Sequence, residues 1–135
     1  MNLADCKILI IDDDEATNFL TSFIFKELCF DCEVEFELSA ESALNNFALD
    51  NTNLPDIILL DINMPGMSGW EFLNEFGKRK YYSFKKISIY MLSTSIFDTD
   101  KLKAKSYPEV VDYLEKPLNE EKINILMQNI IAQKK

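Results

Sequence analysis

The chain of 135 residues contains no histidine, which removes the commonest general base, the commonest metal-binding nitrogen and every triad built on imidazole. Its three cysteines, Cys6, Cys29 and Cys32, are odd in number and lack paired ligand spacing, so a structural zinc site is not expected and reduced, mostly buried thiols fit better. Glycine and proline are also scarce, at three and four residues, and 47% of the chain is apolar; that balance is globular and excludes fibrous or disordered classes. No apolar run approaches the roughly 18 residues of a membrane-spanning helix, and positions 1–5 are too short and polar for a secretory leader. Positive charge is in the minority as well. Fourteen basic residues against 23 acidic ones give a net charge of −9, which argues against direct nucleic-acid binding, since phosphates call for a clustered basic surface. A cytoplasmic protein with no membrane partner is expected. The length suits one domain over residues 1–135, able to bury about two thirds of its unfolded surface and with no room for a second module.

What is present centres on the stretch from Asp56 to Gly66, where Ile57, Ile58, Leu59 and Leu60 run straight into Asp61 and then into a Pro65-Gly66 turn. Apolar residues without alternation suit a central parallel strand covered on both faces. Lys7 to Ile11 has the same design and ends in Asp12, Asp13 and Asp14. From Glu15, the spacing of Ala16, Phe19, Leu20, Phe23 and Ile24 predicts a helix with that stripe on its buried face. Val34, Phe36 and Leu38 alternate with glutamates, as in a half-exposed edge strand. Ser39 is placed to cap a helix with Ala40, Ala43, Leu44, Phe47 and Ala48 inward.

Ser68 to Glu71 reads as a capping box for a third helix with Trp70, Leu73 and Phe76 inward, running toward Gly77. Lys78 to Lys86 is a basic connector. Ile87 to Leu92 is a fourth apolar run, closed by Ser93, Thr94 and Ser95. A helix over about Asp98 to Ser106 stops before Pro108, and Val110 to Leu114 makes a fifth strand. Lys116-Pro117 follows, and Asn119, Glu120 and Glu121 open a last helix with Ile123, Leu126, Met127 and Ile130 on one side. Strand and helix alternate five times. That predicts a doubly wound α/β fold: a five-stranded parallel sheet with helices on both faces, joined by right-handed crossovers.

In such a sheet the carboxyl ends of the strands share one rim, where ligands bind. That rim would collect Asp12, Asp13, Asp61, Ser93 and Lys116. Carboxylates at ~4 Å repel by about 4 kcal/mol per pair at an effective dielectric near 20, so a cation is called for. Oxygen ligands alone select a hard ion, and Mg2+ fits better than zinc. A lysine opposite the acids would complete a pocket for a phosphoryl group.

Four motifs in order carry a resemblance: Asp12-Asp13; Asp61 within Leu59 to Gly69; Met91-Leu92-Ser93; and Asp112 to Pro117. Together they resemble the receiver domain of two-component response regulators, of the chemotaxis-regulator type, across residues 6–133. The resemblance implies a flavodoxin-like (βα)5 fold with strand order 2-1-3-4-5 and a cis bond at Lys116-Pro117. It implies that Asp61 accepts a phosphoryl group from a phosphohistidine on a sensor histidine kinase or histidine phosphotransfer protein. Asp12, Asp13, Asp61 and the backbone carbonyl of Asn63 would hold Mg2+. Ser93 and Lys116 would contact the phosphoryl oxygens, and Ser93 and Tyr113 would form the switch toward an unknown downstream protein. Dimerisation would use the surface of the last two strands and helices, and the kinase would meet the first helix and the loop after Lys116.

The sequence also departs from the family pattern. Ser93 stands where threonine is more frequent, keeping the hydroxyl without the methyl. Tyr107 to Val111 replace the usual Gly-Ala before the fifth strand. Asn63 and Ser95 occupy positions that tune phosphoryl lifetime in the family. Each residue alone has a plainer role: Asp12 to Asp14 as helix N-terminal acids, Asp61 as a turn cap, Lys116 as a solvated lysine, Ser93 as a partner for a strand-end amide, Tyr113 and Trp70 as packing. Two other functions compete with a phosphorylated binding module that is no conventional enzyme. One is an aspartyl-phosphate phosphatase, which usually needs a second Asp where Asn63 stands; the other is a scaffold that no longer takes phosphate.

Overall fold

In the computed structural model, residues 6–28, 31–81, 85–94 and 98–133 are described. Strands and helices alternate from β1 (Lys7–Ile11) through α1 (Glu15–Glu27), β2 (Glu33–Glu37), α2 (Ala40–Leu49), β3 (Ile57–Asp61), α3 (Gly69–Lys78), β4 (Ser88–Ser93), α4 (Asp98–Lys105) and β5 (Val110–Glu115) to α5 (Glu120–Gln133). The sheet is parallel throughout, in the order β2-β1-β3-β4-β5. This is the expected flavodoxin-like (βα)5 arrangement, and the Lys116–Pro117 bond is cis as the resemblance implied.

The alternation of side chains splits the uninterrupted apolar strands between two cores. Leu9, Ile11, Ile58, Leu60, Ile89 and Met91 pack on one face with Ala43, Leu44 and Phe47 of α2, Phe72, Leu73 and Phe76 of α3, and Ala104 of α4. Ile8, Ile10, Ile57, Leu59, Tyr90 and Leu92 pack on the other with Phe25 of α1 and Ile123, Leu126, Met127 and Ile130 of α5. All of β1 and β3 is buried, which is why neither strand alternates. Burying each Ile or Leu contributes about 1.5–3 kcal/mol, so these strands form a rigid floor under the rim.

The helix starts follow local chemistry. Ser39 accepts from the Ser42 N–H and begins α2; Ser68 and Glu71 form the predicted capping box of α3. Asn119 Oδ1 accepts from the Lys122 N–H at the start of α5. Gly77 does not end α3, which runs to Lys78; the left-handed residue there is Lys80, with φ 57.

One expectation is reversed. Most of the stripe assigned to the buried side of α1 faces outward: Phe19 is 72% exposed, Leu20 60% and Phe23 54%, and Ala16 is exposed too, while Ile24 is half-buried against the second core as expected. The buried side is Asn18, Thr21 and Phe25. Polar burial is tolerated because both side chains have partners: Asn18 Nδ2 donates to the Asp12 carbonyl at 3.0 Å, and the Thr21 hydroxyl to the Thr17 carbonyl at 2.9 Å. Two smaller corrections concern Leu38, which lies beyond β2 and is 45% exposed, and Ala48, which is exposed on α2. Cys6 is buried and Cys32 half-buried, and burial first, then the neighbouring Cys6 and Asp31, push the Cys32 thiol up to about 11. Cys29 and Ser95 lie outside the described residues. Among the described residues no helix is long and apolar enough to cross a membrane.

Candidate functional site

The carboxyl ends of β1, β3, β4 and β5 meet where the sequence pattern placed them. The acid run after β1 divides into three roles. Asp12 is fully buried, Asp13 is exposed, and Asp14 caps α1 by accepting from the Ala16 and Thr17 N–H groups. The Asp14 carboxyl is held below its ordinary pKa, chiefly by the hydrogen bond from the Thr17 side chain. The helix-terminus reading therefore applies to Asp14, while Asp12 and Asp13 join Asp61. Oxygens of these three lie within 4.8 Å of one another.

Lys116 binds the two buried acids at once. Its Nζ is 2.7 Å from Asp12 Oδ2 and 3.3 Å from Asp61 Oδ2. Each carboxylate uses its second oxygen on backbone: Asp12 Oδ1 accepts from the Asp14 N–H at 3.0 Å, and Asp61 Oδ1 from the Asn63 N–H at 3.2 Å. Lys116 itself is fixed to the neighbouring strand, its N–H donating to the Ser93 carbonyl at 2.7 Å. An open cavity of about 640 Å3 sits over this cluster, lined by Asp12, Asp13, Asp14, Asp61, Asn63, Thr94 and Lys116, among others.

The electrostatics leave this cavity short of positive charge. Within the cluster itself Asp12, Asp13 and Asp61 against Lys116 leave two net negative charges, which a divalent ion would balance, and Asp14 at the cavity wall adds to the deficit. Burial pushes the Asp61 carboxyl up to about 6; the charge of Lys116 opposes that shift and the charge of Asp12 adds to it. Burial works against the Lys116 ammonium, but its hydrogen bond to Asp12 and the two acid charges outweigh burial and hold its pKa above the ordinary value. All the donors are oxygens, and one wall is open, so the residues present fit a hard cation that keeps part of its water shell.

Two of the expected residues stand apart from the cavity wall. Ser93 is buried at the end of β4, and at this strand end the wall is formed by Thr94. Tyr113 is half-buried against the core on the α2–α4 face, with Lys101 Nζ 5.2 Å from its ring centre. Trp70 also stays partly exposed, stacked on Tyr107 with ring centres 6.0 Å apart, while Lys103 lies 4.8 Å over it. The Tyr107 hydroxyl donates to Asn74 Oδ1 at 2.9 Å, so the unusual segment before β5 is clipped to α3.

The sequence reading passed over Gly69. A methyl group built there would stand 2.6 Å from the Asp61 carbonyl oxygen and 3.0 Å from Ile62 Cα. Only glycine lets α3 start this close behind Asp61. The signal was available in the spacing of Gly69 from Asp61, but its reason is visible only in three dimensions.

A doubly wound sheet with a lysine bridging two buried aspartates at its carboxyl rim defines a class of small signalling domain. The chain matches the model of the response regulator receiver domain over residues 8–128, and it belongs to that family. A two-component response regulator from Cytophaga hutchinsonii superposes with a TM-score of 0.83 at 31% identity, covering 93% of this chain and 96% of the other. The protein PilH of Pseudomonas aeruginosa is 30% identical over 127 residues, which are 93% of this chain and 98% of PilH. The hybrid signal transduction histidine kinase L of Dictyostelium discoideum is 27% identical over 123 residues, but these are only 7% of its length. Receiver domains are signalling modules that pair with histidine kinases or phosphotransfer proteins and bind Mg2+ in an acidic pocket.

Proposed function

We propose that this chain is a phosphoacceptor that takes a phosphoryl group onto Asp61 from a phosphohistidine of a sensor histidine kinase or histidine phosphotransfer protein. The observation that carries the reading is Lys116 Nζ standing 2.7 Å from buried Asp12 and 3.3 Å from buried Asp61, beside Asp13. In the transfer, an Asp61 carboxylate oxygen forms the new bond to phosphorus as the phosphorus–nitrogen bond breaks. The electron pair of that bond stays on the imidazole ring of the donor. Asp12, Asp13, Asp61 and the Asn63 carbonyl would hold Mg2+, which when bound would neutralise charge on the transferring phosphoryl. Lys116 offsets the remaining charge, and the Ser93 hydroxyl donates to a phosphoryl oxygen. The chain catalyses only its own phosphorylation and dephosphorylation.

Switching follows from charge arriving at Asp61. Ser93 is drawn toward it, Tyr113 turns inward and leaves Lys101, and the surface of α4, β5 and α5 changes population. Leu102, Val111 and Ile125 are exposed there, at 68%, 46% and 54%, and suit a downstream protein or a second copy of the chain. The outward stripe of α1 supports the phosphodonor contact. Phe19 and Leu38 border a groove of about 300 Å3 beside the acid rim, with Asn18 and Ser22 in its lining.

Acetyl phosphate with Mg2+ tests the chemistry by intact mass. The wild type should gain one phosphoryl group, and both Asp61→Asn and the wild type in chelator should gain none. Equal labelling in the mutant refutes the assignment. Sustained turnover of a small phosphate ester, over many equivalents, would favour a phosphatase instead.

A further inference from the structure

Between Asp61 and the start of α3 at Gly69 the chain has no regular structure, yet this loop carries Asn63, whose carbonyl is a proposed metal ligand. Its ends are fixed by main-chain bonds: the Ile62 N–H donates to the Leu92 carbonyl at 2.9 Å, and the Gly69 N–H to the Ile62 carbonyl at 2.9 Å. Between them Met64 is buried in the core, and the far side of the loop is met by a side chain from another helix. Glu41, in the first turn of α2, accepts from the Met67 N–H through Oε1 at 3.1 Å. Its other oxygen lies against Gly66, so close that a methyl group there would stand 3.1 Å away. Gly66 is left-handed, with φ +78, and having no side chain it leaves room for the carboxylate. The N-terminus of α2 favours an acid at this position, so the tether is electrostatically supported as well as hydrogen-bonded.

We infer that Glu41 is a positioning residue for the Asn63 loop and thereby sets how tightly the acid cluster holds a divalent ion. The inference rests on the phosphoacceptor reading, because it concerns the ion that reading calls for. Glu41 touches neither the cavity lining nor the proposed ligands; it acts through Gly66 and Met67, three and four residues beyond Asn63. Without it the loop keeps, among the described contacts, its end bonds, the Asn63 N–H bond to Asp61 and the packing of Met64 and Met67, but loses its tie to α2, and the Asn63 carbonyl samples orientations away from Asp13 and Asp61. Support of this kind around a metal ligand typically changes affinity by about tenfold or more when removed.

The test titrates Mg2+ alone into the wild type, Glu41→Ala and Glu41→Gln by calorimetry, with no phosphodonor present. An amide oxygen can still accept from the Met67 N–H, so Glu41→Gln should bind within about threefold of wild type while Glu41→Ala binds about tenfold more weakly. Hydrogen exchange at the Met67 amide, measured without Mg2+, should speed up in Glu41→Ala and remain slow in Glu41→Gln. Equal weakening in both variants would mean a general effect of charge near the acids and would overturn the inference. So would unchanged affinity in Glu41→Ala. A wild type that shows no Mg2+ binding would instead bring down the phosphoacceptor reading, and this inference with it.

Discussion

Replacing Asp61 by asparagine should make the metal-free protein more stable at neutral pH while removing its phosphoacceptor. The cause is the mutual repulsion and burial at the rim. Burial, with the charge of Asp12, raises the Asp61 carboxyl from 3.8 to about 6 despite Lys116. Such a rise corresponds to about 3 kcal/mol of unfavourable free energy once the folded protein must hold Asp61 ionised. Asparagine has one acceptor oxygen where Asp61 uses two, on Lys116 and on the Asn63 N–H, so one of those contacts is lost and about 1–2 kcal/mol should appear as added stability, or several degrees in Tm. The sign fixes the pH window. A carboxyl raised in the folded state binds its proton more tightly there than when unfolded, so its stabilising share is complete below about pH 4 and is lost as pH rises through about 6. The two proteins should therefore unfold alike below about pH 4, diverge as pH rises from about 4 to about 6, and keep a constant gap above that, with the mutant ahead. Urea unfolding in chelator across that range is the assay. Added Mg2+ should close the gap by stabilising the wild type. A mutant no more stable than wild type at neutral pH, or a difference that ignores pH, would refute the claim that the acid rim is strained without an ion.

Lys116→Met should destabilise the metal-free protein by about 3–5 kcal/mol at neutral pH, because Asp12, with no exposed surface, loses the cation 2.7 Å away; the loss should shrink in acid, and an unchanged urea midpoint would contradict it. Gly69→Ala should cost about 1–3 kcal/mol, since its methyl would stand 2.6 Å from the Asp61 carbonyl oxygen; unfolding midpoints decide. The double variant Phe19→Ser, Phe23→Ser should stay within about 0.5 kcal/mol of wild-type stability because both rings are more than half exposed. It should nevertheless lose about tenfold in transfer from a phosphorylated histidine phosphotransfer domain, with labelling by acetyl phosphate unchanged. Equal transfer rates would remove α1 from the donor interface.

The central strands could be read directly because Ile57 to Leu60 and Ile8 to Ile11 are apolar at every position, a pattern that only burial on both faces explains. Ser39 and Ser68 likewise announced the helices they cap. The order of strands came from family resemblance, since alternation alone does not say which strands pair. The side of α1 that is buried was misread because periodicity finds an apolar arc without saying what lies against it. Asn18 and Thr21 face inward with the Asp12 and Thr17 carbonyls accepting from Asn18 Nδ2 and the Thr21 hydroxyl, and those partners are known only once the chain is folded. At the site, Asp12, Asp13, Asp61 and Lys116 were all found in sequence, because each ends a strand or lies just beyond one. Glu41 was not. Its hold on Met67 spans 26 positions and depends on α2 lying beside the β3–α3 loop, which no local pattern records.

Reductive trapping locates the residue that takes the phosphoryl group. After incubation with acetyl phosphate and Mg2+, borohydride converts an aspartyl phosphate to homoserine, and peptide mass spectrometry locates the converted residue. The account predicts conversion at Asp61 alone, abolished by chelator. Conversion at Asp12 or Asp13, or none anywhere under conditions where the folded protein binds Mg2+, would contradict it.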